Sequence, residues 1–197
     1  MSNVVGMSYD ILDRVVRAAI HVRIRMLRAT SALNDAGIPY AVTGDCAVAT
    51  WVARFDEDAV RNPVDVELLV REDDLGILRP VLESARFCHR TVNGKDVFID
   101  GPMGKVYGGI HIVLAGKKIR DHHLLPAPMV DETLPNQHFE LISLKALVRM
   151  KLNSFRDKDR THLRDMLELE MIDASWKARF PEPLADRLQQ LIDTPDG

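Results

Sequence analysis

Cysteine is scarce: the 197 residues hold two, Cys46 and Cys88, and neither stands in a Cys-x-x-Cys or Cys/His pair at metal-finger spacing. A disulfide framework and a structural zinc are therefore not expected, and a reducing, cytoplasmic setting is. Long apolar runs are missing too, since charge interrupts every stretch well short of the roughly 18 residues that a membrane helix needs. Residues Met1 to Asp10 lack the basic patch and apolar run of a signal peptide, so no membrane partner is expected. Glycine (11) and proline (10) are at ordinary levels, which excludes collagen-like and low-complexity chains. Charge of one sign is not in excess, the net charge being −3, so a site for nucleic acid or nucleotide has to be local. What is present, 46% hydrophobic and 28% charged residues, suffices for one core.

Periodicity organises the chain. Residues Tyr9 to Ala36 read as one amphipathic helix, with Leu12, Val15, Val16, Ala19, Ile20, Ile24 and Leu27 at helical spacing. Such a helix can cover a sheet or form a dimer seam. Ile38 to Thr43 reads as a strand ending at Gly44, followed by a helix through Ala47, Val48, Trp51, Val52 and Phe55 that Asp45 is placed to cap. In Val64 to Val70 the apolar residues alternate, which sets Asp65 and Glu67 together on the other face. A helix opening on Glu72, Asp73 and Asp74 follows, then strands over Asp96 to Asp100 and Ile110 to Leu114, and a proline-punctuated extended segment. From Leu141 to Leu169 the pattern is helical, with further short helices through Trp176, Phe180, Leu184, Leu188 and Leu191.

Asp65 and Glu67 are the sharpest chemical signal. Side chains two apart on a strand project side by side, roughly 6.5–7 Å apart along the chain, and two carboxylates so placed can share a hard cation such as Mg²⁺. They can equally be the wet face of a half-covered sheet. Gly44 closes a strand directly ahead of a helix, where the backbone can approach an anion and the first helical amides point at it. Strand-glycine-helix turns are also common without any ligand. On a helical wheel Leu144, Val148, Lys151, Phe155, Lys158 and His162 share one side, which turns Lys151 and Lys158 toward the core, and a buried ammonium needs an anionic partner. Between Lys145 and Asp165 seven Lys or Arg stand against three acids, a local patch suited to phosphates or simply a solvated helix face. No Gly-x-Ser-x-Gly, His-Glu-x-x-His or P-loop motif occurs, which disfavours serine hydrolases, zincins and P-loop enzymes. Cys46 reads as core, and His89, His138 and the His122-His123 pair as surface or capping residues.

These residues together resemble the nucleotidyltransferase superfamily, the polymerase-beta-like fold that includes minimal nucleotidyltransferases and AbiEii-type toxins. The likeness covers roughly Ala32 to Asp173. It rests on Thr43-Gly44-Asp45, on Arg61-Asn62-Pro63-Val64-Asp65-Val66-Glu67, and on the stretch from Leu144 to Leu152 followed by Arg156-Asp157-Lys158-Asp159-Arg160. The resemblance implies an α/β (α+β) fold, a small mixed sheet flanked by helices. Residues 1–140 would form the core and 141–197 a helical segment packed on it. It implies metal-assisted transfer of a nucleoside monophosphate from an NTP to a hydroxyl on RNA, protein or a small molecule. Asp65 and Glu67 would hold Mg²⁺ or Mn²⁺, and Gly44, Asp45, Lys151 and Lys158 the nucleotide. The lysines' alternative partner is an internal acid, Asp65, Glu67 or Asp159.

Two positions depart from the family pattern. Asp45 brings a negative charge to the phosphate turn, where a small residue is usual, unless it caps the helix or binds metal. His111, in Ile110-His111-Ile112-Val113-Leu114, stands where the third carboxylate is expected; imidazole can act as a base near neutral pH or ligate Mn²⁺, but is a poor ligand for Mg²⁺. The competing expectation is a catalytically degenerate member that binds a nucleotide, RNA or a protein partner in a toxin–antitoxin-like pair. A homodimer through the N-terminal helix is a further expectation.

Overall fold

The structure, a computed structural model, describes residues 3–195. Helix α1 (Asn3–Asp35) leads into β1 (Tyr40–Thr43), α2 (Gly44–Val52) and β2 (Val66–Val70). A short 3-10 turn over Glu72–Asp74 opens α3 (Leu75–Ser84), after which come β3 (Phe87–Val92), β4 (Lys95–Asp100) and β5 (Ile110–Leu114). The chain closes with β6 (Thr133–Pro135), β7 (Glu140–Ile142), α4 (Leu144–Ser154), α5 (Asp157–Glu168) and α6 (Glu182–Asp193).

The strands form one mixed sheet in the order β3-β4-β5-β2-β1-β7-β6. Its centre is apolar because β2 and β5 bury Val66, Leu68, Leu69, Val70 and Ile110 completely, each contributing about 1.5–3 kcal/mol relative to exposure. The α/β expectation holds, with a seven-stranded sheet rather than a small one. Three strands lie outside the expected set. β3 pairs with β4 as a hairpin, and β6 and β7 extend the edge beyond β1, to which β7 runs parallel. The helical pattern expected from Leu141 therefore starts later, because Glu140–Ile142 is drawn into the sheet.

The expected long helix is also broken in two. α4 begins on Ser143, whose Oγ accepts the Ala146 N–H at 3.3 Å, and ends at Phe155, which takes a left-handed conformation with φ of 52°. α5 then starts afresh, and Asp159 in its first turn accepts the Arg156 N–H at 3.3 Å, tying the start of the helix from one side only. Among the described residues no helix is long and apolar enough to cross a membrane.

Candidate functional site

Sheet register builds the site. Thr43 of β1 pairs with Glu67 of β2, and Glu67 pairs with His111 of β5, so the three occupy one row across adjacent strands and share a face. Asp65, just ahead of β2, accepts the Gly108 N–H on Oδ1 at 2.7 Å, and the same oxygen lies 3.8 Å from Nε2 of His111. That ring nitrogen is buried with no hydrogen-bond partner. The structure thus brings Glu67 and His111 into one row with Asp65 beside them.

Gly44 has φ of +64°, a left-handed geometry. A Cβ on it would stand 2.5 Å from Oε2 of Glu67, so the group that closely approaches this turn is a carboxylate of the next strand. Gly44→Ala is expected to push Glu67 out of its row and to destabilise the fold by about 1–3 kcal/mol through clash and strain; urea denaturation reads the loss, and a cost near zero would show that Glu67 yields freely.

Asp45 does not cap α2. The helix is entered from Thr43 with no side-chain capping bond, and the Asp45 carboxylate instead receives Lys158 Nζ at 2.6 Å and Lys151 Nζ at 3.3 Å. Lys151 is buried as expected. It also reaches Asp159 Oδ1 at 3.1 Å and Nδ1 of His162 at 3.1 Å. Of the partners foreseen for the lysines, Asp159 is the one found, and Asp45 joins it. Lys158 lies on the far side of the break at Phe155 and is half exposed, contrary to its expected place in the packing face. Arg156 completes the cluster at 2.8 Å from Asp159.

Electrostatics follow from these distances. Burial alone would raise the Asp45 carboxyl, but Lys151, Lys158 and His162 outweigh it and hold it below the usual range. Burial is likewise outweighed at Asp159, where Arg156 and Lys151 bring the pKa to about 2. Burial, then the Lys151 charge, pushes His162 down to about 4, leaving a neutral imidazole to accept the Lys151 proton. Burial first, then the surrounding acids, raises the Cys46 thiol to about 12, so it is not a nucleophile.

Loops are tied to this face by pairs that sequence reading did not find. Arg61 grips Asp165 of α5 through Nε at 2.6 Å and Nη2 at 3.0 Å, fixing the approach to Asp65. Buried Asn153 accepts the Leu124 and Leu125 N–H groups at 2.9 and 3.1 Å. His123, expected at the surface, is buried beneath that loop with both ring nitrogens unpartnered. The site is an open shelf: Asp65 and His111 are each about a third exposed.

The donor set can be weighed against a cation. Among the described residues no three His, Cys, Asp or Glu side chains are gathered closely enough to hold a metal by themselves. Two carboxylates side by side do fit a hard cation that fills its other positions with water and phosphate oxygens. Among the described residues the Glu67 carboxylate has no direct hydrogen-bond or ion-pair partner, although Arg156 and Lys158 lie near enough to feel its charge.

Solved structures with the same architecture are known. A candidate nucleotidyltransferase from H. pylori superposes with a TM-score of 0.54 at 15% identity, over 90% of this chain and 78% of the other. JHP933 from Helicobacter pylori gives 0.51 at 17% identity over 90% and 75%, and an antigenic nucleotidyltransferase-like protein from Paracoccidioides brasiliensis gives 0.50 at 15% over 89% of each chain. The chain has a nucleotidyltransferase-like fold. No protein-family model matches it, and no curated protein does.

Within this nucleotidyltransferase-like fold, His162 sets an acid sensitivity. Its folded pKa, near 4, lies below the usual 6.5, so the unfolded chain takes up a proton that the folded one resists. Stability is then complete above pH 6.5 and falls on acidification toward pH 4, by on the order of 3 kcal/mol. His162→Gln should flatten that slope in denaturation midpoints measured across this interval, and a slope retained in the variant would assign it elsewhere.

Proposed function

We propose that the chain is a nucleotidyltransferase that moves a nucleoside monophosphate from an NTP onto a hydroxyl. The observation that carries this reading is the Thr43–Glu67–His111 row with Asp65 beside it. In the reaction the acceptor oxygen forms a bond to the α-phosphorus, the bond from that phosphorus to the pyrophosphate breaks, and pyrophosphate leaves with its electron pair. His111, whose side chain is about a third exposed, takes the hydroxyl proton, and Asp65, 3.8 Å from its buried Nε2, steadies the imidazolium that results. Asp65 and Glu67 would hold Mg²⁺ or Mn²⁺, which would supply the positive charge that offsets negative charge developing on the phosphates. Half-exposed Lys158 is the cation placed to turn from Asp45 toward the leaving phosphates, while Lys151 stays in its buried pairs. The open shelf, with Asp65 and His111 each about a third exposed, leaves room for an acceptor as large as RNA.

A second reading, a degenerate member that binds without transfer, is favoured by His111 at the third-acid position and by the lack, among the described residues, of a preformed three-ligand group. Incubating the protein with labelled NTPs, total RNA and either Mg²⁺ or Mn²⁺ separates the two. Label transferred to an acceptor and abolished by EDTA supports transfer. Nucleotide or RNA bound without label transfer supports the second reading, and neither binding nor transfer rejects both.

A further inference from the structure

The ion pairs around Asp45 divide into an inner part that is fixed and an outer part that can move. Lys151 is 4% exposed and sits between Asp159 Oδ1 and Nδ1 of His162, each at 3.1 Å, whatever Asp45 does. Its hold on Asp45 is the longer one, 3.3 Å to Oδ1. Lys158 makes the shorter contact, 2.6 Å to Oδ2, yet its side chain is 51% exposed, and among the described residues Asp45 is its one ion-pair partner. A pair with one half-exposed, flexible member contributes little stability and opens readily. As a tie between helices it is also redundant, because Lys151 of α4 already joins Asp45 of α2 to Asp159 of α5.

This outer pair stands at the edge of the acidic row. Asp45 directly follows Gly44, whose turn lies against the Glu67 carboxylate. Lys158 is itself close enough to Glu67 to feel its charge. A carboxylate is thus already seated where the ammonium groups converge. Any phosphate that is to use Lys158 meets it twice: the ammonium has to be drawn away from Asp45, and the phosphate then rests beside the negative charge left there. The fraction of molecules with Lys158 free scales the affinity for such a ligand directly.

We propose that the Asp45–Lys158 pair is an autoinhibitory contact: Asp45 holds Lys158 back from the acidic row and yields it to a triphosphate at a cost in affinity. The choice of ligand rests on the transfer reading, and the contact regulates entry to that same site. Lys151, held by Asp159 and His162, does not take part in the exchange.

Calorimetric titration with inorganic tripolyphosphate in EDTA tests the contact without turnover and without metal. Asp45→Asn should bind it about tenfold more tightly than the wild type, because the pair and the repulsion are both removed. In a Lys158→Met background the same substitution should gain less than about threefold, since only the repulsion is left to remove. Asparagine keeps the size of the side chain, and Lys151 keeps Asp159; Asp45→Ser, neutral and smaller, gives the same reading should the amide disturb the helix junction. Affinity unchanged within about twofold in the neutral variants, a gain equally large with and without Lys158, or no binding by any of these chains overturns the proposal. Failure of the transfer reading looks different. Tighter binding by Asp45→Asn with no label moved from an NTP leaves the contact standing without the reaction, whereas label moved by a wild type that binds tripolyphosphate as tightly as Asp45→Asn leaves the reaction standing without the contact.

Discussion

Replacing Lys151 with methionine is expected to cost about 3 kcal/mol of stability, low in the range for breaking a buried ion pair. Methionine matches the lysine stem in length, so packing is kept and the change isolates the charge. What is left is an excess of buried negative charge. Asp159 is 1% exposed and keeps Arg156 at 2.8 Å as its cation among the described residues, as Asp45 keeps Lys158 at 2.6 Å. The neutral His162 nitrogen also loses its donor. Urea denaturation at neutral pH measures the loss. Adding Asp159→Asn to the same chain should recover part of it, because the amide removes one of the two buried carboxylates that have lost the ammonium between them. A single variant within a few tenths of a kcal/mol of the wild type would mean that the ammonium is not held between those acids.

That cluster also marks where the sequence could be read and where it could not. The wheel that turned Lys151 inward was drawn on one continuous helix, and Lys151 is indeed buried because it lies on α4, before the break. Lys158 comes after it, and nothing in the string Asn153-Ser154-Phe155-Arg156 announces a left-handed residue, since phenylalanine carries no turn signal. Asp45 looked like a helix cap from position alone. Its role was settled by chain segments more than a hundred residues away, which no local pattern records.

The acidic row was more legible, because strand alternation is local: Val66, Leu68 and Val70 bury one way and hold Glu67 to the other. Its pairing with His111 was not, for register between β2 and β5 depends on a crossover through the whole β3–β4 hairpin. That hairpin did leave a trace. Asn93-Gly94, both at positive φ, is the dipeptide preferred in two-residue turns, and it points to a strand ahead of it as well as behind. β7 left none, since Glu140-Leu141-Ile142 merges into the helical pattern that follows.

Glu67→Gln is expected to lower nucleotide transfer on the order of a thousandfold. Glutamine keeps the size and reach of the side chain, so the contact with Gly44 and the stability of the sheet should change by less than about 1 kcal/mol. What it removes is one full negative charge, on a carboxylate that has no partner among the described residues and lies between Thr43 and His111. A cation held by that carboxylate would offset phosphate charge more in the transition state than in the bound substrate, so on the proposed mechanism kcat should fall further than KM rises. Asp65→Asn should reduce turnover as well, yet it also loosens the Gly108 N–H bond at 2.7 Å and the neighbour of His111, so its pH profile should shift where that of Glu67→Gln does not. Transfer that survives Glu67→Gln within about threefold, in a variant that unfolds at the wild-type urea midpoint, would remove the acidic row from the reaction.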